Sequence, residues 1–462
     1  GNWIGETSHI IMTLITGGTD PVDMLLVQDA VNELSIPKAG VEVEFRPVSV
    51  FDISSSVSMW LAAGEQIDLL ACAFTGLSSF ISMNMLLPIE DYLEENGAGL
   101  LQMQEQGTAI FDTATSDHIY GALVLATISG NGGGYLFPVS ALEEAGFSYE
   151  YGDKITLDDL DTIFDAIFEN GTEAHLGIFG SPLSSGYTFQ SDALGTTKSS
   201  GVLVGTDSAE VVNYYGCDEY REYLEHVRSW YEKGYLLKDA ATTDITLSDG
   251  IKNGTLIGNF TEGNWGLVDA NEQDTGEEWT ALFLNDIYQP SIAPASNTFW
   301  TVPVTSQEPE AAVRFLNLMM TDSEIANLLL WGIEGVHYTL SEDGAVVKTE
   351  AYVNWPLSGL HANQRIAAAN GSETKARDEE WNEQADSNYT MGYGFTYDAL
   401  NMTNQITAID AVIAEYTPAL ETGSVDLDTV YPEFLQKLEA AGIDEVVADK
   451  QAQFDAWLAE NA

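Results

Sequence analysis

The stretch "HIIMTLIT" (9–16) reads as a buried strand, and its place ahead of a helix and a second strand constrains the fold most. The helix is "PVDMLLVQDAVNEL", with helical spacing of its apolar residues, and the second strand is the alternating "VEVEFRPVSV". Strand, helix, strand is the unit of a parallel sheet. "VSMWLAAGEQ" and "IDLLACAF" continue the series with a helix and a strand that ends near Phe74. A second α/β series is expected to begin at "IYGALVLATI". It runs through the helix "TLDDLDTIFDAIFENG", with Thr156 as N-cap, to the strand "HLGIFG". With 462 residues and 50.2 kDa, the chain is too long for one ordinary core and suits two or three domains.

The texture changes after residue 303. "VPVTSQEPEAAVRFLNLMM" predicts a helix with Pro309 in its first turn, and "TDSEIANLLLWG" predicts another. In the second, Thr321 and Glu324 suit a capping box, Ile325, Leu328 and Leu329 share a face, and Gly332 suits the C′ position. The loop "WGIEGVHY" therefore lies where a helix stops and the chain turns back. Beyond 395 the pattern is almost all helical, with Ile406, Ile409, Ile413 and Tyr416 in one stripe.

Charge excludes several partners. Sixteen Lys and Arg stand against 72 Asp and Glu, a formal net charge of −56. Such a surface repels phosphate backbones and anionic lipid faces, so no nucleic-acid partner is expected. No apolar run approaches the roughly 18 residues of a membrane span, and no signal peptide is visible. A sequence starting at Gly1 without Met suggests a mature chain whose export signal has been removed. Cys72 and Cys217 fit no metal spacing and form no disulfide framework.

Standard catalytic signatures are missing. "GNGGGY" (130–135) approximates a dinucleotide turn, but Tyr135 occupies its sixth position. No G-K-[ST] phosphate loop, H-E-x-x-H, G-x-S-x-G or calcium loop occurs. The six histidines include no pair at i, i+4 spacing, and a lone one such as His337 suits a hydrogen-bonded structural role. No cofactor or metal is implied. Glycoside hydrolysis needs only two carboxylates about 5 to 10 Å apart, so 72 acids leave that enzyme class open.

What recurs is a set of aromatic-plus-amide loops at the ends of expected strands: "AFTGLSSF", "NGGGYLF", "GSPLSSGYTFQ", "NFTEGNWG", "WGIEGVHY" and "YVNWPLSGLHANQ". Ligands of α/β sheets bind at the carboxyl ends of strands. Flat rings there stack on the C–H face of a sugar, while Asn, Gln and Glu bridge hydroxyl pairs.

Several stretches, in order, resemble one family. "FDISSSVSMWLAAGEQIDLL", "LLPIEDYL", "GALVLATISGNGGGYLFPVSALEEAG", "ITLDDLDTIFDAI" and "IKNGTLIGNFTEGNWG" resemble the extracellular solute-binding proteins of ABC importers, family 1, the group containing maltose binders. "VTSQEPEAAVRFLNLMMTDSEIANLLLWGIEGVHY" and the tail from "GYGFTYDALNM" onward resemble its lipoprotein-type subgroup of Gram-positive bacteria, which carries an extra helical C-terminal module. The likeness spans nearly the whole chain. It implies a type II periplasmic-binding-protein-like α/β fold with two hinged lobes. Lobe 1 would comprise 1–121 plus about 293–332, and lobe 2 would comprise 122–292 plus about 333–395, with a helical module at 396–462 packed on a lobe. The chain would cross between lobes at least twice.

The implied function is non-enzymatic capture of a carbohydrate, most simply an oligosaccharide, between the lobes for delivery to the transmembrane subunits of an ABC permease. The implied setting is a monomer on the extracellular face of the cell membrane, held by a lipid anchor. The lipid-bearing cysteine of the subgroup is not in this sequence, and Ala122 replaces the proline often found after "IYG". Trp265, in "GNWG", falls where maltose-type binders place a stacking tryptophan. The loops and the resemblance together nominate Trp265, Tyr187, Phe189, Phe74, Thr75, Tyr135, Glu262, Asn264, Trp331, Glu334 and Trp355 as ligand-binding residues. Tyr338 would join Trp331 and Glu334 in facing the cleft or locking the hinge. A binder of a peptide or another small polar solute, and a secreted glycoside hydrolase using paired carboxylates, are the alternatives.

Overall fold

A computed structural model describes residues 3–50, 52–72, 77–106, 108, 110–111, 118–180, 184–291, 298–355 and 359–461. The chain forms two compact units, each built from two stretches: 1–129 with 293–376, and 130–292 with 377–462.

In the first unit, β1 (Ser8–Thr16) pairs in parallel with β2 (Val41–Ser49) across helix α1 (Met24–Ala39). β1 is an inner strand, with Ile10, Met12 and Leu14 fully buried. β2 alternates: Val41, Val43 and Phe45 face inward while Glu42 and Glu44 face solvent. α2 (Ile53–Ala62) leads to β3 (Leu70–Cys72), which is joined to β1 through the parallel Met12–Leu69 bridge. β4 (Gly121–Leu123) belongs to this same unit and does not open the second α/β series expected from "IYGALVLATI". The reason is long-range pairing, since Phe299–Thr301 returns to lie between β4 and β3.

The second unit is built on β5 (Asn131–Pro138), α3 (Leu157–Glu169), β6 (His175–Gly177), a 3-10 turn at Ser184–Tyr187, α4 (Asp218–Glu232), β7 (Leu256–Thr261), α5 (Trp265–Thr275) and β8 (Trp279–Tyr288). Its sheet runs β8-β5-β7-β6, with β6 and β7 parallel and the other two pairs antiparallel. Thr156 caps α3 in a full capping box with Asp159, which satisfies two otherwise orphan N–H groups. α3 and α4 lay Leu160, Ile163, Phe164, Tyr223, Val227 and Trp230 into one core.

The chain then returns to the first unit. β9 (Phe299–Thr301) inserts antiparallel between β3 and β4. Helix α6 (Pro309–Thr321) follows, with its proline in the first turn, where no N–H partner is needed. Buried Asp68 links that helix start to β1. One carboxylate oxygen accepts from Ser306 Oγ and the Gln307 and Glu308 N–H groups at 2.7, 3.0 and 3.2 Å, and the other accepts from Ile11 N–H at 2.8 Å. Helix α7 (Ser323–Trp331) is capped by Asp322, which accepts from the Glu324 and Ile325 N–H groups, and not by Thr321. Thr321 remains in α6, donating back to the Asn317 carbonyl at 2.6 Å.

Residues 333–376 group with the first unit, whereas the sequence assigned 333–395 to lobe 2. Long-range polar and aromatic contacts explain the grouping. His337 Nε2 lies 3.1 Å from Asp23, His361 Nε2 accepts from Ile15 N–H at 2.9 Å, and the Trp355 ring lies 6.2 Å from Phe45. His337 Nδ1 also accepts from Ile333 N–H at 2.8 Å, the structural role expected of a lone histidine.

Helix α8 (Ser372–Ala385) carries the chain across the 376/377 boundary into the second unit. The helices α9 (Thr403–Leu420), α10 (Leu427–Ala441) and α11 (Ile443–Asn461) complete that unit. Phe434, Leu438, Val446 and Phe454 are fully buried in the core shared with Tyr214, Tyr220 and Phe164. Among the described residues, no helix is long and apolar enough to cross a membrane.

Candidate functional site in the second unit

The site is seated on the glycines of β5. A Cβ at Gly133 would lie 2.2 Å from the Tyr187 carbonyl, and one at Gly132 would lie 2.4 Å from the Trp381 ring. The run that approximates a dinucleotide turn is thus a strand that lets a backbone turn and an indole approach closely. Asn285, on β8, donates to the Tyr187 carbonyl at 3.3 Å and holds the same turn from the neighbouring strand.

Beyond the end of β7 the chain runs Glu262, Gly263, Asn264 and Trp265 into α5. Gly263 takes φ 81°, a left-handed conformation that a side chain would strain. Asn264 is the N-cap: its Oδ1 accepts from Leu267 N–H at 3.2 Å, and its Nδ2 donates to Glu262 Oε2 at 3.0 Å. One amide therefore starts the helix and orients the carboxyl. Burial pushes the Glu262 carboxyl above its ordinary pKa, with the Asn264 hydrogen bond acting the other way. The Tyr187 hydroxyl is raised chiefly by burial and secondly by the charge of Glu262, which places the two side chains in one electrostatic environment.

Trp265 begins α5 and is half-buried. Tyr151 meets it edge-on, with centroids 5.0 Å apart and planes at 83°. Phe283 lies 5.7 Å from Tyr151 and 6.0 Å from Trp381. The Arg377 guanidinium is 5.0 Å from the centroids of both Trp265 and Tyr151. Such a group offers flat apolar faces beside a carboxyl, a phenol and an amide, which suits C–H stacking together with bridging of hydroxyl pairs.

Of the nominated residues, Trp265, Glu262, Asn264 and Tyr187 come together here. Tyr135 does not belong with them. It is fully buried in the aromatic core of this unit, 4.6 to 5.0 Å from Phe137, Phe164 and Phe260. Phe189 is committed to packing as well, stacked on Tyr214 at 5.2 Å. Trp355 has no exposed surface, and its Nε1 donates to the Leu329 carbonyl at 3.3 Å, so it is a core residue of the first unit. Also in the first unit, Trp331 donates to the Ala368 carbonyl at 2.8 Å, Tyr338 is buried and Glu334 is exposed. Phe74 and Thr75 lie outside the described residues.

Sequence reading missed Tyr151, Phe283, Arg377 and Trp381. A lone tryptophan in the otherwise polar helix "SETKARDEEWNEQA" was a signal that could have found Trp381 and, one turn earlier, Arg377.

Elsewhere among the described residues, Asp158, Asp161 and His226 bring possible metal-ligand atoms within 4.8 Å of one another. Asp161 is already engaged there: it accepts from Trp230 Nε1 at 2.5 Å and pairs with His226 Nδ1 at 3.0 Å. The group ties α3 to α4.

A family model described as a domain of unknown function, DUF3502, matches residues 391–459, the C-terminal helices. A carbohydrate ABC transporter substrate-binding protein of Streptococcus pneumoniae serotype 4 is 26% identical over 292 residues, 61% of this chain and 56% of that one. The polygalacturonan/rhamnogalacturonan-binding protein YtcQ of Bacillus subtilis is 21% identical over 256 residues, 51% of this chain and 50% of that one. The chain thus spans about half the length of the curated relatives it matches. Among solved structures, the N-glycan transport solute binding protein of Streptococcus pneumoniae matches 98% of this chain and 100% of its own at TM-score 0.80 and 19% identity. It has also been solved with Man5GlcNAc, a structure matching at TM-score 0.69. The chain is similar in sequence to ABC-transporter substrate-binding proteins and has their mixed α/β fold. Those relatives are binding proteins rather than enzymes.

Proposed function

We propose that this protein captures an oligosaccharide outside the cell and delivers it to the membrane subunits of an ABC importer, without chemical change to the sugar. The observation that carries the reading is the Glu262–Asn264–Trp265 corner at the end of β7, with Tyr187 and Tyr151 beside it. Asn264 fixes the Glu262 carboxyl as an acceptor for sugar hydroxyls, and the indole next to it supplies a stacking face. The fold and the relatives' carbohydrate ligands support the same reading. We further assign the protein to the extracellular face of the membrane, held there by a lipid anchor, and to a monomeric state.

The test is calorimetric titration and thermal shift against Man5GlcNAc, kestose, an oligogalacturonide and a peptide panel. Binding of at least one glycan with a raised melting temperature, and recovery of that glycan intact after long incubation, is the expected result. Cleavage products would instead favour a glycoside hydrolase, and response only to peptides would overturn the carbohydrate assignment.

A further inference from the structure

A buried chain of hydrogen bonds links the C-terminal helices to the turn that carries Tyr187. Lys198 Nζ donates to Tyr214 Oη at 3.2 Å, the Tyr214 hydroxyl donates to Ser185 Oγ at 3.0 Å, and the Ser185 hydroxyl donates to Glu421 Oε1 at 3.2 Å. Tyr220 donates to the same carboxylate oxygen at 3.1 Å. Each hydroxyl has one proton to give, and a cation at one end with a carboxylate at the other makes every proton point the same way.

Helix capping does not account for Glu421. It follows the last residue of α9, where the negative end of the helix dipole disfavours a carboxylate. Its backbone is secured separately, since Tyr223 donates to the Glu421 carbonyl at 3.1 Å and Arg228 to the Gly423 carbonyl at 2.7 Å. The carboxyl is thus left for the lobe. Ser185 lies two residues before Tyr187, and its carbonyl closes the turn by accepting from Thr188 Oγ1 at 2.8 Å. On its other side the turn rests on Gly133 and Asn285.

We propose that the Lys198–Tyr214–Ser185–Glu421 chain makes the C-terminal helices the support that positions Tyr187 for oligosaccharide, so that Glu421 and Ser185 are positioning residues for binding. This rests on the carbohydrate reading above. The titratable groups facing Glu421 are Lys198 from the 198–200 turn, Tyr214 and Tyr215 from the 214–216 turn, and Tyr220 and Tyr223 from α4. Burial pushes the Glu421 carboxyl up to about 7 against the opposing pull of Lys198, so its charge changes near neutral pH. Protonation replaces charge-assisted hydrogen bonds by weaker neutral ones and slackens the grip on the turn.

The test uses Ser185→Ala, Glu421→Gln and Tyr187→Ala in the full chain. Each is checked for folding by circular dichroism and titrated with Man5GlcNAc, kestose and an oligogalacturonide at pH 8 and pH 6. Hydrogen exchange is followed over 184–190. The expected result is faster exchange there in Ser185→Ala and Glu421→Gln, with affinity about fivefold lower or more at pH 8. Wild-type affinity falls toward the Glu421→Gln value at pH 6, while the two positioning variants stay flat. Wild-type exchange and affinity in a folded Ser185→Ala would overturn the proposal, as would a wild-type pH response in Glu421→Gln. If those variants fail while Tyr187→Ala still weakens binding, the site reading stands and the positioning falls. If Tyr187→Ala also binds normally, or none of the three glycans binds wild type, the site reading falls and the positioning with it.

Discussion

Arg377 lies 5.0 Å from the ring centroid of Trp265 and the same distance from that of Tyr151. A cation on the electron-rich faces of half-buried rings contributes on the order of 0.5–1 kcal/mol. Arg377→Ala should therefore lower unfolding free energy by about that amount in urea titrations without ligand, since the exposed Arg377–Glu380 ion pair adds little. A loss of several kcal/mol, or none at all, would show that the guanidinium does not hold these rings together.

Trp265 is the direct test of stacking. In the proposed site, its removal should cost on the order of 2 kcal/mol or more of binding free energy, at least ~20-fold in Kd. Trp265→Ala should remain folded, because the ring starts a helix and is only half-buried. Calorimetry on the folded variant decides the matter. Unchanged affinity would remove Trp265 from the site.

Glu421 gives the fold a pH dependence of known sign. Its pKa is raised from 4.5 to about 7, so the folded chain binds more protons than the unfolded chain between those values. Stability from this group is fully present below about 4.5 and is lost as pH rises through about 7. The unfolding free energy of wild type, minus that of Glu421→Gln, should rise as pH is lowered from 8 to 5. A difference that is flat or falls over that range would contradict the burial assigned to this carboxyl.

Lys450 is fully buried on α11, and its Nζ shares its N–H groups among four acceptors at 2.8 to 2.9 Å, the Ala193 and Gly201 carbonyls and the Thr196 and Ser200 hydroxyls. Lys450→Met keeps the stem but removes the donor to the Gly201 carbonyl and breaks up the polar cluster in which Thr196 and Ser200 also bond each other, a cost of about 2–4 kcal/mol. The melting temperature should drop by several degrees, and limited proteolysis should cut first within 443–461. A variant as resistant as wild type would mean that α11 is held by its apolar face alone.

Local pattern made much of this molecule readable. The buried run of β1, the alternation of β2, the Thr156 cap and the proline at the start of α6 each arise from chemistry within a few residues. The Gly263–Asn264–Trp265 corner was legible for the same reason, since one turn of chain builds it. Tyr135 and Trp355 misled because an aromatic beside glycine or asparagine looks alike in a core and at a ligand face. Only the neighbouring strands and helices decide which side of the chain faces water.

The sequence by itself determined most of the strands and helices and caps such as that of Thr156, because backbone geometry and side-chain spacing act over short range. Tertiary structure alone decided that Arg377 and Trp381 join Trp265, that residues 333–376 group with the first unit, and that Glu421 grips the turn before Tyr187. Those relationships depend on which buried polar groups find partners across long stretches of chain. Pairing of that kind is settled by packing, and spacing does not encode it.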